Sequence, residues 1–374
     1  MLFSEVLGQE KIKEQLISMV QDNRLSHALL FHGKEGVGKK ALALSFAQYI
    51  VCENKKENNA CGECSACKKA QKLIHPDIHF VFPVIKDGSK KAISDTYISE
   101  WREGLLNNPY FTYSQWNSAI GDGKKASSIY VDESSEMIKK LNFKAFESDY
   151  KVMLIWLPEK MNTQTANKLL KTLEEPAEKT VLILVAENLD FMLSTILSRV
   201  QQIKIPPISD KYIKQYLNEH FSTSEDLIQF STNYGKGNLP RSIEALNQSE
   251  ENERYHEWFV QFMRLSYGNK MLDLIKLNDE IISHDKNELK NFLLYSIRYL
   301  RDNFMLNKEQ DNLVFLVQNE KDFAERFSTF INENNIELMY SSINETMENI
   351  NRNANVKIQM QVLAINMVRA FSMI

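Results

Sequence analysis

Four cysteines are the clearest candidate for site chemistry in the sequence. They are Cys52, Cys61, Cys64 and Cys67, and no other cysteine occurs among the 374 residues. Four thiolates form a complete tetrahedral ligand set for Zn²⁺, so no coordination position remains for water or a substrate. The clustering therefore predicts a closed, structural zinc site. Two alternatives stay open: buried thiols that bind nothing, and redox-active cysteines.

A glycine-rich stretch is the second candidate site, because it carries the residue types of a phosphate-binding loop. Gly33, Gly36 and Gly38 let backbone N–H groups face a phosphate, and Lys39 adds a positive charge. The next position normally holds a Ser or Thr whose hydroxyl binds Mg²⁺, but here it is Lys40, which cannot. The pattern predicts a degenerate nucleotide site at which ATP binding stays open. The alternative is a turn that merely caps a helix.

The acidic residues that such a site needs for hydrolysis are missing. An Asp and a Glu should end a later strand, where they hold the metal and polarise the attacking water. Trp156 and Leu157 stand in those places, and Glu159 comes too late, beyond Pro158. Together with Lys40, this second loss predicts that the chain does not hydrolyse ATP.

The apolar pattern predicts the elements that position these sites. A helix is expected at about 10–20, and another at 39–50, directly after the glycine-rich loop. The predicted strands are 27–31, 129–131, 152–156 and 181–185. Strands that alternate with helices predict an α/β domain, in which a parallel sheet is covered on both faces.

Length and chain-breaking residues predict three domains. They are a nucleotide-binding-type domain over 1–205, a small helical unit over 206–250, and an all-helical domain over 251–374. The first contains the cysteine stretch 52–67 and an insertion at about 86–125, and Pro206-Pro207 ends it. The last predicted helix, 356–373, is apolar on most faces, which is typical of a helix in a bundle or at a subunit interface.

Composition limits the function classes. Hydrophobic residues make up 43% of the chain and charged residues 25%, as in globular proteins, and no apolar run is long enough to span a membrane. The N-terminus lacks the layout of a signal peptide, so a cytoplasmic protein without membrane contacts is predicted. A net charge of −4 argues against a free-standing zinc-dependent nucleic-acid-binding protein, which would need a basic surface.

Four features, in order along the chain, resemble the AAA+ clamp-loader subunits of bacterial DNA polymerase III. They are Val6-Leu-Gly-Gln9, the cysteine group behind the phosphate loop, the run Ala166-Asn-Lys-Leu-Leu-Lys-Thr-Leu-Glu-Glu-Pro176, and Ser198-Arg199. The run from Ala166 is the most specific, since its leucines predict one buried helical face and leave a polar face outward. The resemblance covers most of 1–246.

Within the family, the sequence is most similar to the delta prime type of subunit. This implies a AAA+ domain, a helical lid and a collar that joins a ring, in a non-catalytic subunit that helps ATP-dependent loading of a sliding clamp onto primed DNA. The implied partners are the tau/gamma motor subunits, the delta subunit and, through the complex, the clamp and primer-template DNA. The rival is an active motor subunit, which would need a hydroxyl at Lys40 and acids at 156 and 157.

The resemblance also assigns roles to individual residues. It implies that Arg199 is an arginine finger acting in trans on a neighbour's ATP, and that Arg241 stands where the family has a sensor arginine on the lid. The cysteine group matches the family's zinc module. Two departures are Val200, where the family has Cys, and Glu187, which follows a strand end where a small polar residue is usual.

Overall fold

The computed structural model describes residues 1–86, 88, 91–121, 125–247, 249–310, 314 and 316–373. The chain divides into two compact units. One comprises Met1–Phe221 and Gly235–Ser242, and the other comprises Ser222–Tyr234 and Ile243–Ile374. The region 206–250, predicted as a separate helical unit, contributes to both, and the predicted three-domain division stays a prediction.

A five-stranded parallel sheet forms the centre of the first unit. Its strands are β1 (Ala28–His32), β2 (Ile78–Val81), β3 (Lys151–Trp156), β4 (Thr180–Ala186) and β5 (Gln201–Lys204). Their order across the sheet is β2-β3-β4-β1-β5, and every neighbouring pair is parallel. The predicted parallel α/β fold class is confirmed, and three of the four predicted strands occur.

Helices connect and cover the strands. In the first unit they are α1 (Glu10–Gln21), α2 (Lys39–Val51), α3 (Ser65–Gln71), α4 (Ile98–Asn107), α5 (Tyr113–Ile120), α6 (Val131–Asn142), α7 (Thr163–Glu174), α8 (Ser194–Leu197) and α9 (Asp210–His220). Every residue of α2 is buried, which fixes the phosphate loop between β1 and the core. Side chains of α6, α7 and α8 form a core with those of β1, β3 and β4.

Two local predictions in this unit are tested directly. The helix from Ala166 is confirmed in α7, where Ala166, Leu169 and Leu173 are buried while Asn167 and Lys171 are exposed. The strand predicted at 129–131 is wrong. Ile129 makes an isolated bridge to Met161, and α6 already begins at Val131.

The predicted insertion at about 86–125 contains ordered structure. Helices α4 and α5 lie within it, and their Trp101 and Trp116 rings pack edge to face at 5.2 Å. Aromatic pairs of this geometry stabilise a core beyond the area they bury. Residues 87, 89, 90 and 122–124 of the predicted insertion lie outside the described residues.

The regular structure described after β5 is helical. The remaining helices are α10 (Glu225–Gly235), α11 (Leu239–Asn247), α12 (Ser249–Tyr267), α13 (Met271–Ile282), α14 (Lys286–Asn307), α15 (Gln318–Phe327), α16 (Ile336–Asn351) and α17 (Val356–Phe371). From α12 onward they share one hydrophobic core. This agrees with the predicted all-helical C-terminal region. No helix in the described part of the chain is both long and apolar enough to cross a membrane.

The carboxylate of Asp77 fixes the turn that leads into β3. It accepts backbone N–H groups of Phe146, Glu147 and Ser148 at 2.5–2.9 Å, and the Ser148 hydroxyl at 3.1 Å. Burial acts to raise the pKa of Asp77, but these hydrogen bonds outweigh burial and hold the pKa below its ordinary value. Because β3 delivers Trp156 to the phosphate loop, Asp77 supports the site from the opposite end of the strand.

We expect Asp77→Ala to lower the free energy of unfolding by about 2 kcal/mol or more, because three N–H groups lose a charged acceptor. Since folding lowers the pKa of Asp77, its contribution is present above the unfolded-state value of 3.8 and is lost as the pH falls through the folded-state value. The difference between variant and wild type should therefore shrink in acid. Urea unfolding at several pH values measures it.

Asp149→Ala is the matched control, because that neighbouring side chain is exposed and forms an ion pair with exposed Lys179 at 3.5 Å. A loss for Asp77→Ala no larger than for Asp149→Ala would contradict the assignment.

Candidate functional site

The phosphate loop occupies the connection between β1 and α2, as the sequence predicts. Gly36 and Gly38 have φ angles of 73° and 90°, which glycine adopts readily and other residues rarely do. Gly38 is the residue that precedes the first turn of α2. The loop thus has the backbone of an anion-binding turn, at the N-terminus of a long buried helix.

The ammonium group of Lys39 is directed back onto the loop. Its Nζ donates to the backbone oxygen of Gly33 at 2.7 Å and to that of Lys34. Burial lowers the pKa of Lys39 to about 8, against the opposing effect of Glu187 and Glu159. The group that should meet a terminal phosphate therefore already has acceptors within the loop.

Glu159 and Glu187 lie near Lys39 at the ends of β3 and β4. Glu159 Oε1 accepts the backbone N–H groups of Glu187 at 2.7 Å and Asn188 at 3.1 Å. Burial raises the pKa of Glu159, and it raises that of Glu187 to about 7. One oxygen of Glu159 is thus engaged in bracing the chain after β4, which fits the prediction that this residue does not replace the missing acid.

Lys40 is buried where a metal-binding hydroxyl would normally stand. Its Nζ donates to the Phe111 carbonyl oxygen at 2.6 Å, and it lies 3.0 Å from the centroid of the Phe111 ring and 4.2 Å from that of Trp156. Burial lowers the pKa of Lys40 well below its ordinary value. Aromatic faces stabilise a desolvated ammonium by about 2 kcal/mol or more. The two residues that replace the metal ligands therefore contact each other.

The residues that cover Lys40 do not follow from the sequence pattern. Phe111 and Trp101 lie in the predicted insertion, for which the sequence indicates no role, and the Lys40 ammonium is 5.9 Å from the centroid of the Trp101 ring. A usable signal existed, because the segment is rich in large aromatic residues and another aromatic, Trp156, replaces an acid. Their contact requires the fold, since 71 residues separate Lys40 from Phe111.

Arg199 lies on the surface immediately after α8. Its Nη2 is 2.8 Å from Glu174 Oε1, and its Nη1 donates to the backbone oxygen of Thr195 at 3.0 Å and to the Ser198 hydroxyl at 3.2 Å. The side chain keeps 37% of its surface exposed. Glu174 belongs to α7, so one ion pair joins the run from Ala166 to the Ser198-Arg199 motif.

The predicted lid residue Arg241 lies in the first turn of α11. Its backbone N–H donates to Asn238 Oδ1 at 3.0 Å, and its side chain is exposed. Asn238 and Leu239, just before it, contact the phosphate loop at Gly36. The structure thus brings this turn to the loop.

The four cysteines converge to one point beside α3. Their sulfur atoms all lie within 4.8 Å of one another, and two of the distances are 3.6 Å and 3.8 Å. A tetrahedral zinc ion with Zn–S bonds of about 2.3 Å places its sulfurs about 3.8 Å apart. The residues present therefore fit a zinc ion in number, chemistry and spacing.

Backbone N–H groups support the cysteine cluster. Those of Cys61, Cys64 and Cys67 donate to the sulfurs of Cys52, Cys61 and Cys64 respectively, each at 3.3 Å. Burial alone would raise the pKa of Cys61, but hydrogen bonds from Cys64 and Glu63 lower it to about 6. Burial raises the pKa of Cys52 and of Cys67. Four thiols at this distance are mutually unfavourable as thiolates unless a cation lies among them.

Comparisons with known proteins point to replication machinery. The family described as "DNA polymerase III, delta subunit" matches residues 8–209. Over 213 residues the chain is 29% identical to the delta' subunit of Bacillus subtilis, which covers 56% of this chain and 51% of that protein. Over 225 residues it is 30% identical to the tau/gamma subunit of Haemophilus influenzae, covering 60% and 26%.

A gamma subunit of Buchnera aphidicola matches over 366 residues at 24% identity, which covers 90% of this chain and 87% of that protein. The first two matches span only about half and about a quarter of the relatives' own length. Their names include both delta' and tau/gamma subunits, so the similarity identifies the family and not the type of subunit. The family match extends over more than half of the 374 residues. The chain therefore belongs to the clamp-loader family of DNA polymerase III subunits.

Proposed function

We propose that this chain is a cytoplasmic, non-catalytic clamp-loader subunit of the delta prime type. In this role it assembles with tau/gamma motor subunits and a delta subunit and helps load a sliding clamp onto primer-template DNA. The observation that carries the proposal is the contact between Lys40 and Trp156. These residues stand where an ATPase needs a hydroxyl and an acid, and they form a buried pair of their own. An active motor subunit, the alternative, needs both missing groups.

Arg199 is the residue through which such a subunit would take part in chemistry. Its guanidinium is exposed and held by Glu174, whose side chain is 50% exposed. Exposed ion pairs contribute only about 0–1 kcal/mol, so the guanidinium can exchange this partner for a phosphate at small cost. Its planar fork matches phosphate oxygens in a bidentate manner, and it stays charged at any physiological pH. We propose that it stabilises ATP hydrolysis in a neighbouring subunit.

We expect Arg199→Ala to leave the subunit folded and assembled, but to lower DNA-stimulated ATP hydrolysis and clamp loading by the reconstituted complex. Arginine fingers contribute about 10³–10⁵ in rate at their own site in well-studied systems. Because other sites in a ring can retain their own arginine fingers, we expect ATP hydrolysis to be lost at one site. Phosphate release and clamp transfer to primed DNA measure the effect.

Arg199→Lys keeps the positive charge but removes the planar guanidinium. It should therefore be little more active than Arg199→Ala. Lys179→Ala is the control, since it removes another exposed cation of the first unit. Unchanged loading by an assembled Arg199→Ala complex would rule out the finger role.

We also propose that the cysteine cluster holds one structural zinc ion. With four protein ligands the site is closed, and the metal would join Cys52 at the end of α2 to the loop and helix that follow. The redox alternative needs a cysteine pair that cycles with a disulfide, whereas zinc binding occupies all four thiolates.

We expect about one zinc ion per chain in protein purified without chelators, and loss of this zinc in Cys64→Ser with a marked fall in thermal stability. Ser65→Ala, at the exposed first residue of α3, should retain both zinc and stability. Elemental analysis and thermal unfolding provide the readouts. Zinc-free wild type with a reversible disulfide would support the redox alternative instead.

The C-terminal helices are proposed to form the collar that joins this chain to its ring. Helix α17 buries Met360, Leu363 and Met367 in the unit's core. On its other side Val362 and Ile365 remain 44% and 54% exposed. A helix with a second apolar face of this kind is typical of a subunit interface.

We expect the double substitution Val362→Asp and Ile365→Asp to block entry into the complex while the isolated chain stays folded, because carboxylates cannot be buried unpaired at an interface. The control places the same charges on the polar surface of α16, at Asn344 and Ser341. Co-purification with tau/gamma and delta subunits measures assembly. Normal assembly of the α17 variant would show that this face is not the interface.

A further inference from the structure

The phosphate loop is closed by the chain itself. The Gly36 carbonyl oxygen accepts the Leu239 N–H at 3.2 Å, and the Glu35 carboxylate accepts the Tyr113 N–H at 3.2 Å. Tyr110 lies so near Gly38 that a Cβ atom added there would be 3.1 Å from its ring. Two segments that follow the loop in sequence, one near Tyr110 and Tyr113 and one at Leu239, thus meet on it.

Residues 108–116 contact both the loop and the Lys40 side chain that follows it. The carbonyl oxygen and the ring of Phe111 both contact the Lys40 ammonium. Nearby, Tyr110 contacts the loop at Gly38 and Tyr113 contacts it at Glu35. Lys40 keeps only 7% of its surface exposed as a result. In a working site, this volume belongs to Mg²⁺ and the terminal phosphate.

We propose that residues 108–116 are a built-in plug, which closes the metal and terminal-phosphate side of the phosphate loop and prevents Mg·ATP from binding. The degenerate phosphate loop then binds part of the insertion, which acts as an intramolecular ligand. This goes beyond the proposed loss of hydrolysis, because a site without catalytic groups could still bind nucleotide.

The plug is firmly attached on both sides of Phe111. The Tyr110 hydroxyl accepts the Leu7 N–H at 3.0 Å. After Phe111, Thr112 caps α5 by accepting the Gln115 N–H at 3.2 Å, and the Trp116 indole N–H donates to the Pro83 carbonyl oxygen at 2.7 Å. Such anchors keep the plug at high effective concentration, so a nucleotide must compete with a tethered ligand.

The packing around Phe111 adds a second barrier to opening. Its ring lies 5.5 Å from that of Trp101 and 5.4 Å from that of Trp156, both edge to face. Moving Phe111 would expose these rings and leave the Lys40 ammonium without its acceptor. The binding free energy of a nucleotide would have to offset both losses before any net binding occurred.

The plug predicts that the first unit keeps one conformation whether or not ATP is present. A motor subunit changes its contacts when nucleotide binds, whereas a chain whose site is filled by its own residues has no differential affinity for the ligand. Such a subunit can hold Arg199 and the ring contacts in fixed positions through the cycle.

The test restores the site in two steps and measures binding of a fluorescent, non-hydrolysable ATP analogue with Mg²⁺ to the full chain. Lys40→Thr returns the hydroxyl but leaves the plug, and we expect no more binding than in wild type. Lys40→Thr with Phe111→Gly removes the plug as well, and we expect affinity at least tenfold higher than for Lys40→Thr.

A matched control combines Lys40→Thr with Ile120→Gly. The Ile120 substitution also removes a buried side chain from the insertion, but Ile120 lies about 10 Å along α5 from Tyr113. It should bind no better than Lys40→Thr. Binding of the analogue by wild type, equal binding by Lys40→Thr with and without Phe111, or no binding by a folded double variant would each overturn the plug. If wild type bound the analogue but did not hydrolyse ATP, the plug would be overturned and the proposed non-catalytic function would still stand.

Amide hydrogen exchange provides a readout if the double variant does not fold. In wild type, the Tyr113 amide should exchange as slowly as amides of β3, and millimolar Mg·ATP should not change exchange at residues 34–38. Rapid exchange at Tyr113, or protection of the loop by Mg·ATP, would show that the segment opens and would overturn the proposal.

Discussion

The buried ammonium of Lys40 is the constraint on which the first unit depends. A charge this far from water is very costly unless hydrogen-bond acceptors and favourable electrostatics surround it. Here the Phe111 carbonyl oxygen and the Phe111 and Trp156 rings provide that environment. The insertion, the end of β3 and the phosphate loop must therefore be together for any of them to be stable. One substitution in a metal-binding position has become part of a folded core.

This constraint explains why the two departures from an ATPase pattern occur together. Trp156 alone would place a large ring at an open metal site, and Lys40 alone would bury a charge without acceptors. In contact, the Trp156 ring fills the site beside Lys40 and stabilises its ammonium, and the Phe111 carbonyl oxygen accepts its hydrogen bond. The cysteine cluster follows the same physical rule, since its four close sulfurs are stable as thiolates only around a cation. With the proposed zinc ion bound, both sites would stabilise the fold and leave no open position for catalysis.

Much of this arrangement could be predicted from sequence, and the failures have clear causes. The strands at β1, β3 and β4 are buried apolar runs, which are recognised easily, and α7 shows a clean helical period. The short edge strand β5 was missed because three of its four residues are polar and exposed. The strand predicted at 129–131 failed because three β-prone residues proved to be an isolated bridge and the start of α6. The contact of Phe111 with Lys40 joins distant segments, so no local pattern could reveal it.

The two cations Lys40 and Arg199 illustrate how one fold can separate structure from chemistry. Lys40 has lost its solvent, and desolvation lowers its pKa, so its amino group serves only contacts inside the protein. Arg199 remains exposed and paired with a carboxylate that it can leave at small cost. The proposed non-catalytic ring subunit would use both properties: a rigid interior that does not respond to nucleotide, and an exchangeable cation at the surface. In the proposed role, a rigid interior would hold the guanidinium in one position relative to the neighbour's ATP, which is the preorganisation that electrostatic stabilisation of a transition state uses.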